Sequence, residues 1–130
     1  PNEFSLKDVP KPVPVNDEVL IKVKQVGICG TDLEIISGHM GYYVSGKAKF
    51  PVIPGHEWVG EVVELGPDAH GFQIGDHVVG ETHVPCWDCS KCSSGNYHHC
   101  QTRTETGICN RNGAFAEYIA HPTKSLHKIS

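Results

Sequence analysis

Four cysteines within one short stretch constrain this chain more than anything else in it. Cys86-Trp87-Asp88-Cys89-Ser90-Lys91-Cys92 places thiols at every third position, and Cys100 follows eight residues later. Zinc is tetrahedral and borderline-soft; four thiolates at about 2.3 Å satisfy it and leave no position for water. A closed set of this kind is structural in character. Its metal-binding free energy becomes folding free energy, on the order of 10 kcal/mol in small zinc modules. The alternatives are disulfides or plain buried thiols, but three cysteines in such close succession leave an awkward odd partner.

With 130 residues the chain suits one domain with a modest core. Gly 14 and Pro 9 favour many turns and short strands over long helices. A formal charge of -4 offers no basic footprint, which argues against nucleic acid as a partner. No run approaches a membrane span and no start resembles a signal peptide, so a membrane partner is not expected either. Six cysteines without an export signal point to metal or reduced thiols in a cytoplasm. A start at Pro1 in place of methionine fits a piece of a longer chain.

Pro10, Pro12 and Pro14 predict an extended segment from Pro1 to Pro14. A strand follows from Val19 to Val26, with Val19, Ile21 and Val23 on one face and Lys22 and Lys24 towards water. Gly27-Ile28-Cys29-Gly30 breaks it. Thr31-Asp32-Leu33-Glu34 reads as a capping box opening a short helix that Gly38 ends. His39 to Phe50 shows no period and reads as a loop, and Pro51-Val52-Ile53-Pro54-Gly55 as a bend. Trp58 to Leu65 reads as a strand stopped by Gly66-Pro67-Asp68. Gln73 to Gly80 gives another short strand behind a Gly-Asp turn. Asn112-Gly113 is a hairpin signal, pairing Gly107–Cys109 with Ala114–Ala120. Strands at this spacing suggest a mainly β fold, a barrel or a sandwich.

A second donor set lies outside the cysteine loop. Cys29 sits between Gly27 and Gly30, and His56-Glu57 follows the bend at Pro54-Gly55. One sulfur, one imidazole and one carboxylate make a mixed, incomplete shell of the kind a catalytic zinc uses. Adjacent strand residues point to opposite faces. Glu57 therefore shares a metal with His56 only if the bend persists there, and otherwise stands behind the ligands. Asp32 is placed to accept the other N–H of a ligating histidine. The plainer alternatives are a buried thiol at Cys29 and a core or surface histidine at His56.

Gly27-Ile28-Cys29-Gly30-Thr31-Asp32, Gly55-His56-Glu57, Gly75-Asp76-His77-Val78, the four-cysteine loop and Gly113-Ala114-Phe115-Ala116-Glu117-Tyr118 occur in that order. Taken together they resemble the N-terminal catalytic domain of the zinc-dependent medium-chain dehydrogenases, which act on alcohols, polyols, sugars and threonine. The resemblance implies a GroES-like, partly open β-barrel with short helices and a zinc-binding lobe at 86–100. It implies residues 1–130 as one catalytic domain of a larger homo-oligomeric enzyme acting on a small-molecule alcohol. It further implies two zinc ions per full chain, and NAD or NADP bound by a domain not contained here. Cys29 and His56 match the catalytic zinc ligands, and Glu57 a direct or transient third one. Asp32 matches the partner of the ligating histidine, and Thr31 the hydroxyl that takes the substrate's proton. Cys86, Cys89, Cys92 and Cys100 match the structural zinc site.

The chain also departs from the family pattern. It carries no glycine fingerprint of a dinucleotide-binding domain. The family's final ligand or water-holding acid falls beyond Ser130, and a first strand would precede Pro1. Trp87-Asp88 replaces a glycine between the first two cysteines, although Asp88 can tolerate a left-handed turn. Glu34 stands where many relatives carry a proton-relaying histidine; a capping-box partner is the simpler role. For Thr31, helix cap and proton acceptor compete for one hydroxyl. His98 and His99 are read as surface residues and Cys109 as a buried thiol. His39, Tyr42, Tyr43 and Lys47 share a loop that either lines a substrate pocket or is merely solvated. Gly80-Glu81-Thr82-His83 and Glu117-Tyr118 lean towards threonine and polyol dehydrogenases. Two other function classes stay open: a zinc-stabilised interaction module without catalysis, and a relative that has lost its catalytic metal.

Overall fold

The β-branched run after Asp17 forms the first strand of the fold. The computed structural model describes residues 2–130, and these carry eight strands: β1 Glu18–Val26, β2 Trp58–Leu65, β3 His77–Gly80, β4 His83–Val84, β5 Thr104–Thr106, β6 Asn110–Arg111, β7 Tyr118–Pro122 and β8 Leu126–Lys128. The helices are short: α1 Gly30–Ser37, α2 Gly41–Val44 and α3 Ser90–Ser93. Residues 2–15 lie outside strands and helices, as their prolines require.

Five strands form one sheet in the order β7-β1-β2-β3-β8, with every neighbouring pair antiparallel. β7 and β8 occupy the two ends of that order, yet only the turn Thr123–Ser125 joins them. Pro122 to Leu126 is four Cα steps, at most about 14 Å. A flat sheet of five strands would separate its edges by about 19 Å. The sheet must therefore curl until its edges approach, and it forms a barrel that is not closed by hydrogen bonds.

Inside the curl, Val19, Ile21, Trp58, Val62, Val78, Ala114, Ile119 and Leu126 make the main core. Leu20 is buried as well, so the simple alternation expected along β1 holds only over Lys22–Lys24, and Gln25 and Val26 are both exposed. A second, smaller core joins Ile35 of α1 to Ala48, Ile108 and Cys109, with Met40, Tyr42, Tyr43 and Val52 packed against it. Cys109 is a buried free thiol, as expected, and burial raises its pKa.

Three local expectations are corrected. Gln73–Asp76 is a turn, because the Asp76 carboxylate accepts the Gln73 N–H at 2.8 Å; the strand begins only at His77. No hairpin forms at Asn112-Gly113: Asn110–Arg111 instead pairs in parallel with β5, and β7 pairs with β1. A two-residue hairpin turn of that type needs positive φ at both central residues, and neither Asn112 nor Gly113 has it. The α1 cap also lies two residues earlier than expected. Cys29 is the N-cap, and the Asp32 carboxylate accepts the Cys29 N–H at 2.9 Å. Thr31 is thus already inside the helix. Gly38 does end it, in the left-handed region at φ 79°.

Candidate metal centres

The four-cysteine lobe runs from Pro85 through α3 and a 3₁₀ turn at Tyr97–His99. All six cysteines of the chain are free thiols, and the Sγ atoms of Cys86, Cys89, Cys92 and Cys100 lie within 4.8 Å of one another. Sγ of Cys92 is 3.6 Å from that of Cys89 and 3.9 Å from that of Cys86. A tetrahedron of sulfurs about 2.3 Å from a central zinc has edges of about 3.8 Å. These separations fit zinc, whereas disulfides need about 2.05 Å.

Backbone N–H groups prepare two of the sulfurs as anions. Cys100 accepts from the Cys86 N–H at 3.4 Å, which together with Thr102 lowers its pKa to about 6. Cys86 accepts from the N–H groups of Asp88 and Cys89, and its pKa falls too. Burial and the neighbouring Cys89 thiol push Cys92 the other way, to about 12. A divalent cation among four such sulfurs removes the conflict. Between the first two cysteines it is Trp87 that takes the left-handed conformation, at φ 61°, and not Asp88. Its ring lies 5.1 Å from that of Tyr97, which ties the turn to the far side of the lobe. His98 and His99 are exposed and stand outside the sulfur cluster.

The mixed set assembles from two segments. Cys29 caps α1, and His56-Glu57 follows Gly55. One ligand atom each from Cys29, His56 and Glu57 falls within a 4.8 Å cluster. Residue 57 is a bend and β2 starts only at Trp58, so His56 and Glu57 are not forced to opposite faces. Glu57 Oε1 lies 3.9 Å from His56 Nε2. Gly27 leaves the space this needs, since a Cβ there would meet Glu57 Oε2 at 2.9 Å.

Asp32, 1% exposed, binds both segments. Its Oδ2 accepts the Cys29 N–H at 2.9 Å, and its Oδ1 faces His56 Nδ1 at 3.5 Å. That second distance is longer than a good hydrogen bond, and both atoms are buried with no other partner. Among the described residues neither has another hydrogen-bond partner, so each is left facing the other. A proton on Nδ1 shared with Asp32 leaves the Nε2 lone pair free for a metal. Thr31, freed from capping, has its hydroxyl 3.9 Å from Cys29 Sγ.

The sequence did not reveal what stands behind His56. Gly55 has φ 100°, and a Cβ on it would lie 2.8 Å from the Phe115 nitrogen. A Cβ on Gly107 or Gly113 would collide with the Gly55 backbone. Three glycines from separate segments thus touch directly, and the Gly113 N–H donates to the Ile53 carbonyl. Asn112-Gly113, the apparent hairpin signal, instead supports the bend that aims His56.

A curled β-sheet domain with one closed four-sulfur set and one open mixed set defines a recognisable class. The chain belongs to the alcohol dehydrogenase GroES-like domain family, whose model matches residues 15–130. It is 44% identical over 124 residues to an L-threonine 3-dehydrogenase of Coxiella burnetii, covering 95% of this chain and 35% of that one. Among solved structures it is similar to an alcohol dehydrogenase from Escherichia coli complexed with NADH (TM-score 0.86, 33% identity, 100% of this chain and 36% of that one). It is also similar to a cobalt- and zinc-bound thermostable alcohol dehydrogenase from Pyrobaculum aerophilum (TM-score 0.82, 33% identity, 96% of this chain and 37% of that one). The chain thus spans about a third of the length of the relatives it matches. The expected GroES-like, partly open barrel is the observed fold.

The two donor sets should release metal differently. Brief treatment of the zinc-loaded protein with a mild chelator is expected to leave about one zinc per chain, because a closed sulfur set offers no open position for attack. Elemental analysis reads the outcome; simultaneous loss of both ions with the fold intact would contradict the division into two kinds of site.

Proposed function

We propose that this chain is the catalytic domain of a zinc-dependent, NAD(P)-linked dehydrogenase that oxidises a secondary alcohol of the polyol, sugar or threonine type. The observation that carries the proposal is the convergence of Cys29, His56 and Glu57 with Asp32 behind the imidazole. A protein-interaction module would be indifferent to that convergence. A relative without catalytic metal would have no reason to keep the three donors together.

Cys29, His56 and Glu57 would hold the catalytic zinc, and Cys86, Cys89, Cys92 and Cys100 the structural one. When bound, zinc at the mixed set supplies Lewis acidity towards the substrate hydroxyl, as it does towards water, whose pKa it brings to about 7. Asp32 keeps the His56 ring in one tautomer and one orientation, and through the Cys29 N–H it holds the thiol-bearing residue in place. The Thr31 hydroxyl lies beside Cys29 without a capping duty, where it can accept the proton leaving the alcohol and pass it towards solvent. Glu34 is exposed on α1 and helps to end that helix through its carbonyl, which accepts the Gly38 N–H. The hydride acceptor, NAD or NADP, would bind to a domain beyond residues 1–130. Kinship with threonine dehydrogenases favours a threonine-like substrate. A homo-oligomer in the cytoplasm completes the proposal; among the described residues no helix is long and apolar enough to cross a membrane.

Residues 1–130 alone should therefore show no turnover with either cofactor. Hydride transfer needs the reacting carbon and the ring held about 3–3.5 Å apart, and nothing in this segment has the glycine-rich strand-to-helix turn that grips a dinucleotide. NADH or NADPH formation, measured at matched zinc content for this segment and for the chain extended through a cofactor domain, tests the proposal. Robust turnover by the segment would overturn the placement of the cofactor site. Absence of turnover by the extended chain on every polyol, sugar and threonine-like alcohol would overturn the activity itself.

A further inference from the structure

The chain between the two ligand-bearing segments is tied down from outside itself, and one of the ties is a buried acid. α1 begins at the Cys29–Asp32 end of the mixed set, and residues 39–53 lead from its far end to Gly55-His56. That connection contains α2 and few backbone ladders of its own. It is held from outside, by the stretch from β5 through the following turn to β6. Tyr42 Oη donates to Glu105 Oε1 at 2.9 Å, and Tyr43 Oη donates to the Ile108 carbonyl at 2.7 Å. The Asn110 side-chain amide donates to the Lys47 carbonyl at 3.2 Å.

Glu105 is 6% exposed, a rare situation for a carboxylate. Besides Tyr42, its Oε1 faces Arg103 Nε and His83 Nε2, each at 3.4 Å. Arg103 also reaches the Cys100 carbonyl at 3.4 Å. Burying an unpaired carboxylate is costly, so these partners are what allow it to sit there. The Glu105 backbone is fixed as well: its carbonyl accepts the N–H groups of Ile108 and Cys109, and its N–H donates to the Cys109 carbonyl. The same turn carries Gly107, which presses on Gly55. One stretch therefore braces the His56 bend through Gly107 and anchors the loop that leads to it.

We propose that Glu105 is a positioning residue for the 39–50 loop: through Tyr42 it fixes the connection that joins the Cys29-bearing helix to the His56 bend, and this held loop forms a preorganised wall for the alcohol substrate. The substrate half of this statement rests on the dehydrogenase assignment above; the anchoring half does not. Rigid walls lower the ordering that substrate must impose on binding. Glu105 acts on affinity and touches no reacting atom.

The test uses the zinc-loaded protein and the variants Tyr42→Phe, Glu105→Met and the double variant; methionine keeps the length of the side chain and removes the carboxylate that accepts the Tyr42 hydroxyl. Tyr42→Phe is the gentle one, since Glu105 keeps Arg103 and His83. Hydrogen exchange read by mass spectrometry should show the amides of 41–48 exchanging about tenfold faster in each single variant, with β1 and β2 unchanged. The double variant should be no faster than Glu105→Met, because both changes break one link. In the chain extended through its cofactor domain, KM for the alcohol should rise about tenfold while kcat stays within about twofold. Unchanged loop exchange, additive effects, or uniform acceleration across the domain would overturn the anchor. Faster loop exchange with unaltered KM would overturn the positioning role while the dehydrogenase assignment stands. An extended wild-type chain without turnover would overturn that assignment instead, and the exchange data alone would then decide the anchor.

Discussion

Replacing Cys89 by serine is expected to lower the melting temperature by roughly 15 °C, while the same replacement at Cys29 leaves melting within a few degrees and removes activity. The lobe from Cys86 to Cys100 is a loop with one four-residue helix and one 3₁₀ turn, and the sulfur cluster is its centre. Metal binding there is folding free energy on the order of 10 kcal/mol, and loss of such a site belongs among the substitutions exceeding about 4 kcal/mol. For a domain of this size each kcal/mol shifts melting by about 4 °C. Cys29, by contrast, is half-buried and belongs to neither hydrophobic core, and its backbone N–H keeps the Asp32 bond whatever side chain it carries. Loss of Lewis acidity worth several kcal/mol should reduce kcat/KM by at least about a thousandfold in the extended enzyme. Thermal melts with parallel zinc analysis decide the matter, and equal drops for the two variants would refute the distinction.

Acid should destabilise the domain through His121. This imidazole on β7 is fully buried, edge-on to Trp58 at 5.5 Å between ring centroids, with Thr106 Oγ1 at 3.3 Å from Nε2. Burial, and then the charge of Arg111, lowers its pKa from 6.5 to about 4. The unfolded chain thus binds a proton below pH 6.5 that the folded one refuses. Stability is complete above that pH, falls as the pH drops through the interval, and is lost in full below pH 4. The whole effect is about 3 kcal/mol, of which about 2 kcal/mol is gone by pH 5. Acid also protonates the cysteines, so the comparison is between wild type and His121→Gln at equal zinc content, by urea unfolding from pH 7.5 to 4.5. The variant should start less stable and lose less. Parallel pH profiles would show that His121 contributes nothing.

Much of the frame was legible because it rests on local rules. The four-cysteine spacing named its cluster outright, and the apolar runs at 19–26 and 58–65 placed β1 and β2 almost to the residue. The mixed donor set was legible as residue types, and the bend that unites His56 with Glu57 was foreseen as the condition for it. What escaped was decided at long range. Thr31-x-x-Glu34 has the right letters for a cap, but the carboxylate of Asp32 turns back to the Cys29 N–H while also facing His56, and that moves the helix start. Asn112-Gly113 has the right letters for a hairpin, but its surroundings ask for a side-chain-free surface against Gly55. Glu105 gave no signal at all, since its partner Tyr42 is 63 residues away.

The contact of Gly55, Gly107 and Gly113 divides the domain into parts that can and cannot be varied by an engineer. Backbone meets backbone there, so no substitution offers a graded change; every other residue adds a Cβ where atoms already stand. The neighbouring 39–50 loop is held by tyrosine hydroxyls, an asparagine amide and ring contacts, all of which can be exchanged for weaker or longer equivalents. A library aimed at new substrates belongs in that loop and its anchors, with the three glycines left alone as the fixed datum from which the imidazole is aimed.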